Sequence, residues 1–444
     1  MKILVIGGGL AGLTCAVELA ERGADVTVLE STPILGGKAA SWRDTDGHIV
    51  DLGQHVVTPL YEHFLALLRK VDAERNLIWK DGHYYLALRG GQLDSIRIAN
   101  LPAPFHFLVG LARYRNISWR HRLSGLLPFT EILLSTERHR RKFDDRTFFE
   151  WMRSRGATET LLRHMLEPMI EGLMFLNCEE VSATNVMFDL HYMLRNRDAA
   201  RFGFFDGGLD ECLIQPIVRY LATHGGCVQT STPVAQLHFD GTAVNAITLA
   251  DGQRLTADAY VSAVPVHKLC ELLPAAAWND PFFASLRHLT PVPVIGVQIW
   301  FDRKVMSVAD LILTPDCIFN AYVDASNILT EYRSHAGSVI HFVLAPAAQL
   351  IPLDNDRLVE LVLADFRDVF PSAVPARVLK STVVKTPQSF PAQRPGMEKY
   401  RPTQQTPLRN FFLAGEYTRN RYPPCMEGAV MSGILAARAV DGIH

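Results

Sequence analysis

The sequence predicts an α/β fold: a Rossmann-like nucleotide-binding domain joined to a discontinuous mixed-sheet-plus-helical domain for the substrate. Three observations predict it. The chain starts as strand, glycine turn and helix, with Lys2-Ile-Leu-Val-Ile6 followed by Gly7-Gly-Gly9-Leu10-Ala11-Gly12. It finishes with a second glycine motif, Asn410-Phe-Phe-Leu-Ala-Gly415-Glu416, and then Met426-Glu427-Gly428. No low-complexity linker or internal repeat divides the chain between them, so the domains must interleave. Residues 1–76, 203–275 and 405–444 are assigned to the nucleotide domain, and 77–202 and 276–404 to the substrate domain.

The first motif sets the cofactor class. Ile3 to Ile6 is a short apolar run, as expected for a parallel strand covered on both faces. Gly7 permits a tight turn, bare Gly9 lets backbone approach a pyrophosphate, and Gly12 lets the helix pack against the strand. The helix from Leu10 to Arg22 aims its N-terminal amides at that phosphate. Val26 to Leu29 is the second strand, and Glu30 at its end can accept both hydroxyls of an unphosphorylated ribose, which favours NAD or FAD over NADP. Pro33-Ile-Leu-Gly36-Gly37-Lys38 adds a further glycine loop directly after this acid.

Bulk properties narrow the remaining classes. At 444 residues the chain can bury a large core and split into two lobes. The net charge of −2 offers no general attraction for nucleic acid. The 7 cysteines form no CxxC and no zinc spacing, so free thiols are expected, with neither structural zinc nor a disulfide framework. The nucleotide strand begins at residue 2, so no signal peptide is expected. No run reaches the ~18 apolar residues of a membrane span. The expected setting is cytosolic, or peripheral on a membrane surface.

Taken in order, Asp46-Gly47 reads as a hairpin turn, and Tyr61 to Val71 as a helix. Residues 77 to 98 read as short strands that begin the substrate lobe. From Leu101 to Leu134, bulky apolar residues (Phe105, Phe107, Leu108, Leu111) flank Arg113, Arg115, Trp119, Arg120 and Arg122. That combination suits a monotopic membrane-docking surface, with the apolar face in the acyl region and Trp and Arg at the headgroups. Thr147 to Leu194 is helical, and its Met and aromatic stripes suit a core or a greasy tunnel equally. Phe202 to Gly208 reads as a breaker where the chain returns to the nucleotide lobe. Leu213 to Ala222 is a helix, a β-meander follows from Val234 to Ala259, and Tyr260 to Pro265, with Ala263, is a buried strand. A second sheet begins at Pro291 to Arg303 and is joined by 318–323 and 338–344. Leu358 to Phe370 is a helix, and 383–402 leads back to the final glycine motif. His48 and His63 have no ligand spacing, so no metal site is expected.

The glycine loop after Glu30 resembles the extension that flavoproteins of the amine-oxidase and carotene-desaturase superfamily wrap around FAD. The internal segments are similar to the plant-type carotene desaturases, the phytoene and zeta-carotene desaturase family. They include Leu101-Pro-Ala-Pro104, Gly125-Leu-Leu-Pro128, Phe175-Leu-Asn177 with Glu180-Val-Ser182, Phe205-Asp-Gly207, Pro293-Val294 with Ile299-Trp-Phe-Asp-Arg-Lys304, Val384-Lys-Thr-Pro387, and Arg401-Pro402. The match covers nearly the whole chain and departs at two places. Gln54 before His55 looks more like the hydroxysqualene dehydroxylases, and Pro233 stands where an arginine commonly precedes the adenine-holding valine.

The resemblance implies a GR2-type flavoprotein with FAD held by Gly7, Gly9, Leu10, Ala11, Gly12, Glu30, Gly36, Gly37, Lys38, Val234, Ala263, Gly415, Glu416 and Met426. It implies desaturation of a linear isoprenoid at a membrane surface, with hydride passing to flavin N5 and then to a quinone or oxygen. The cofactor carries this chemistry, and the protein positions and shields. His55 and Glu427 are candidate helpers; Glu427 could instead serve only the helix dipole. Three rivals follow from the same fold: a hydroxysqualene dehydroxylase, a flavin amine oxidase, and a non-enzymatic prenyl-binding escort. An amine oxidase would need an aromatic cage; Tyr417 and Tyr422 are nearby aromatics and read as packing.

Overall fold

A computed structural model describes residues 1–53 and 55–442; Gln54 and the side chains of Leu108 and Ala200 lie outside the described residues. A five-stranded parallel sheet has the order Phe411–Leu413, Ala259–Ser262, Lys2–Ile6, Asp25–Leu29, Cys227–Gln229. The first strand alternates between two cores. Ile3 and Val5 pack under the helices Leu10–Ala20 and Met426–Asp441. Leu4 and Ile6 pack on the other side, against the antiparallel meander Val234–Phe239, Val244–Leu249 and Arg254–Leu255. Both faces are covered, which is why the strand reads as an unbroken apolar run.

The two ends of the chain meet over this sheet. A Cβ on Gly433 would lie 2.5 Å from the carbonyl oxygen of Ala11, so only glycine lets the last helix lie this close to the first.

A seven-stranded mixed sheet forms the second layer. Its order is Val378–Pro391, Pro291–Phe301, Val339–Leu344, Ala321–Asp324, Ile312–Leu313, His83–Leu88, Gln92–Arg97. The helix Asn355–Val369 covers one face through Leu358, Val362 and Phe366. The other face packs on the helical region from Phe148 to Leu190.

Three expectations need correction. Phe202–Gly208 is not only a breaker: Gly203–Phe205 is a strand, antiparallel to Leu77–Trp79. Residues 77–79 therefore pair with the returning chain and not with the substrate sheet. The segment 276–289 also sits differently from its assignment. Ala277, Phe283, Leu286 and Leu289 pack in the same cluster as Leu4 and Tyr260, on the nucleotide side. Both misplacements concern short segments whose partners are distant in sequence, which local pattern does not encode.

Candidate functional site

The cofactor cavity, about 350 Å³, runs along the carboxyl ends of the parallel strands. This is where open parallel sheets bind ligands. Gly7, Gly9, Leu10, Ala11, Glu30, Gly36, Gly37, Lys38, Val234, Ala263, Gly415, Glu416 and Met426 all line it. Gly12 does not. Its Cβ would lie 2.1 Å from the carbonyl oxygen of Gly7 and 3.0 Å from Cβ of Ala263. Gly12 thus acts one step back, by letting the helix start directly behind the turn.

The two N-terminal glycine loops are pressed together. Gly36 N–H donates to the carbonyl of Gly8 at 2.9 Å, and a Cβ on Gly37, at φ +59°, would approach Cα of Gly9 at 3.2 Å. The Glu30 carboxylate is held at the rim by the backbone amides of Gly8 at 2.8 Å and Thr32 at 2.9 Å. At the far wall, Lys38 Nζ pairs with the Glu416 carboxylate, so the first loop is tied to the last motif across the cavity. The lysine also lies 5.2 Å from the centroid of the Phe390 ring. Arg401 organises the final motif from behind. Buried, it donates to the carbonyls of Glu416 at 3.1 Å, Thr418 at 2.8 Å and Tyr422 at 3.0 Å. The sequence marked Arg401 only as part of a matching segment.

A glycine cradle, an acid at the ribose end and a helix N-terminus at Met426 are what a dinucleotide needs. These residues fit FAD.

A second cavity of about 240 Å³ opens beside the Met426 end of the first. Lys38, His55, Phe390, Cys425 and Met426 line both. Its walls are apolar and aromatic, with Tyr84, Met169, Phe175, Phe188, Tyr192, Phe202, Val294, Leu311 and Val343 among them. Leu173 lines it and is 45% exposed, which marks an opening. Tyr417 is buried beneath Gly415, as expected for packing. Tyr422 is not simple packing, because it lines this second cavity. Asp189 is an acid in this greasy wall, and burial alone pushes its carboxyl up to about 7. Burial also pushes the Cys425 thiol up to about 12, so it is no nucleophile at neutral pH.

Of the two candidate helpers, only His55 reaches the cavities. Burial lowers its pKa, with the backbone at Gly53 and Lys38 opposing, so the ring is neutral. Glu427 is elsewhere, and the suggestion that it assists the chemistry does not fit its placement. Fully buried, its Oε1 accepts from His63 N at 3.1 Å and His63 Nδ1 at 2.7 Å, and its Oε2 from Phe64 N at 2.8 Å. It caps the helix Glu62–Lys70 from a distance and serves the dipole there. Among the described residues one cluster has metal-ligand geometry, Asp44, Asp46 and His48. Lys380 bonds Asp46 and His48 and lies 2.6 Å from Asp44, so that cluster already holds its cation.

The model of the flavin-containing amine oxidoreductase family matches residues 10–441. The chain belongs to this family and is an FAD-dependent oxidoreductase. Within it, the chain is a member of the plant-type carotene desaturase group. It is 33% identical to a 15-cis-phytoene desaturase of Synechococcus elongatus, over 99% of this chain and 96% of the relative. It is 32% identical to a probable zeta-carotene desaturase of the same organism, over 99% and 98%. Among solved structures it resembles an oxidoreductase of Methanosarcina mazei, with TM-score 0.76, 19% identity and 100% of both chains covered. A putrescine oxidase aligns with TM-score 0.74 and 14% identity, over 100% of this chain and 99% of that one. Those two share the fold.

Proposed function

We propose that the chain desaturates a linear isoprenoid of the phytoene or zeta-carotene type. The observation that carries this reading is the junction of the two cavities. An apolar cavity ends against the flavin end of the cofactor cavity, and Lys38, His55, Phe390, Cys425 and Met426 are common to both. The names of the full-length relatives support the same substrate class. FAD supplies a hydride acceptor. The protein's part is to hold one saturated C–C bond at that junction and to keep water out. Phe390 and Met426 do this with apolar surface, while the Lys38–Glu416 pair fixes the loop that frames the junction. A hydrocarbon is held by shape alone, so wall residues such as Phe175 and Leu311 set which bond reaches the flavin.

The substrate is delivered from a membrane surface, and electrons leave to a quinone or oxygen. No helix of the described residues is long and apolar enough to cross a bilayer. Instead, Trp119 (68% exposed), Leu127 (62%) and Leu134 (74%) present apolar surface between Arg113, Arg115 and Arg120. Arg122 is withdrawn from this set, since it donates to the carbonyls of Leu111 and Ala112 at 2.7 and 2.8 Å.

The test is anaerobic mixing of FAD-loaded protein in liposomes with phytoene, zeta-carotene, squalene and hydroxysqualene in turn. Bleaching of the oxidised flavin band by a carotene supports the reading. Reaction of only pre-reduced flavin, and only with hydroxysqualene, would replace it with a dehydroxylase.

A further inference from the structure

His55 lines a third cavity besides the other two. This one is small, about 20 Å³, and lies between Asp51, the segment Phe204–Leu209 and the substrate sheet at Val323 and His341. The volume suits one water molecule, which needs about 10–15 Å³ and at least two polar partners. The partners are present. Asp51 Oδ1, His55 Nδ1 and His341 Nε2 are buried, and none has a hydrogen-bond partner among the described residues. The remaining wall is apolar, with Phe204, Ile328 and Leu329.

A fourth polar side chain stands beside them. Gln298 is opposite His341 in the sheet register, and both of its amide atoms are unpartnered. The chain from His48 to Leu52 crosses this face: the His48 ring lies 5.3 Å from that of Trp300, and the Leu52 carbonyl oxygen is 3.3 Å from where Gly296 would carry a Cβ. Gln298 lies between Gly296 and Trp300 on that strand, beside His341. So many buried orphans in one place are rare in a native protein unless water or chemistry accounts for them.

Burial pushes the Asp51 carboxyl up to about 7 and the His341 imidazole down to about 4. The acid therefore titrates in the working range, while His341 stays neutral and can accept a hydrogen bond. The other groups facing Asp51 do not compete. Burial pushes the Cys212 thiol up to about 11 and the Tyr332 hydroxyl up to about 12. Arg43 is occupied by Glu211 and Glu331, Asp206 by Thr330, and Lys38 by Glu416 on the far side of His55.

We infer that Asp51, His55 and His341 enclose a proton-holding site, built around one water, that takes the proton the substrate releases. The inference rests on the desaturase reading. Desaturation breaks two C–H bonds on neighbouring carbons. One leaves as hydride to the flavin, carrying two electrons. The electron pair of the other becomes the new π bond, and its hydrogen leaves as a proton. His55 takes this proton on Nε2 and releases one from Nδ1 to the water, which passes it to the Asp51 carboxylate. His341 Nε2 accepts a hydrogen bond from that water and orients it. When the quinone or oxygen takes the two electrons, it also takes two protons, the one from the hydride and the one from Asp51, and the site is reset.

The experiment uses FAD-loaded protein in liposomes, with Asp51→Asn and His341→Leu as variants. Without substrate, pH-difference infrared spectra should show a protonated carboxyl band titrating near neutrality in the wild type and missing in Asp51→Asn. With phytoene or zeta-carotene under anaerobic conditions, flavin reduction should quicken as pH rises through this range. Asp51→Asn should lose that pH limb and on the order of 10²-fold in rate. His341→Leu should keep the limb and shift its midpoint. Absence of the carboxyl band overturns the proposal, as does an unchanged limb in Asp51→Asn. Failure of every isoprenoid to bleach the wild type overturns the desaturase reading and the proposal with it.

Discussion

Replacing Glu427 by Gln separates a structural anchor from a catalytic acid. The native carboxylate accepts from His63 N, His63 Nδ1 and Phe64 N at 3.1, 2.7 and 2.8 Å, in a fully buried place. In the variant, one end of the side chain becomes an NH₂ group facing an N–H donor. One charge-assisted bond is lost, and one backbone amide of the first helical turn is left without an acceptor. These are one event seen from its two partners; it costs about 1–3 kcal/mol, and full burial puts it near the upper end, about 3 kcal/mol. At about 2.1 cal/mol/K per residue, cooperative unfolding of 444 residues has an entropy near 0.9 kcal/mol/K, and the midpoint should fall by about 3 °C. The assay pairs thermal unfolding with single-turnover flavin bleaching, normalised to bound flavin. The rate per flavin should stay within about threefold, because the carboxylate lies outside both cavities. A hundredfold slower rate with an unchanged midpoint would refute the anchor role and restore Glu427 to the chemistry.

Other perturbations probe other parts. Gly12→Ala puts a methyl 2.1 Å from the Gly7 carbonyl; purified protein should be colourless, with a lower unfolding midpoint, since overpacking costs about 1–3 kcal/mol or more. Lys38→Ala should weaken FAD retention about tenfold in flavin-release assays, a loss of about 1.4 kcal/mol, because it leaves half-buried Glu416 without its cation. Leu126→Ser combined with Leu127→Ser should reduce liposome cosedimentation by at least tenfold if these exposed side chains (56% and 62%) enter the bilayer, at about 1.5–3 kcal/mol each. Asp189 supplies a pH test. Its folded pKa is raised to about 7 from 3.8. The native state therefore binds more protons, and stability falls as pH rises between those values. Asp189→Asn should accordingly raise the unfolding midpoint more at pH 8 than at pH 4, measured without substrate.

The cofactor half was legible because its constraints are local. Gly7, Gly12 and Gly37 answer to backbone atoms that no side chain could replace, and Glu30 follows its strand at a fixed distance. The substrate half was legible only as composition. The cavity wall draws Val56, Phe175, Tyr192, Leu311, Val343 and Phe390 from separate segments. Periodicity says that such residues point inward, but not which of them meets a void. Phe390, common to both cavities, lies near the end of a long strand and pairs with Val292, far earlier in the chain, and it carries no local mark. His341 did carry a signal, a lone imidazole inside the apolar strand Val339–Leu344, but its meaning depends on Asp51, which lies far away in sequence. For Glu427 the sequence offered the dipole of its own helix, whereas the amides it meets belong to the helix Glu62–Lys70, which is distant in sequence.

The most direct test counts bonds against electrons. FAD-loaded protein in liposomes is mixed anaerobically with less than one equivalent of phytoene, and flavin absorbance and product chromatograms are taken from the same sample. One new C=C bond per flavin reduced is the expected result, with each product more conjugated than its substrate. Product without flavin reduction, or flavin reduction with no change in the isoprenoid, would contradict the account.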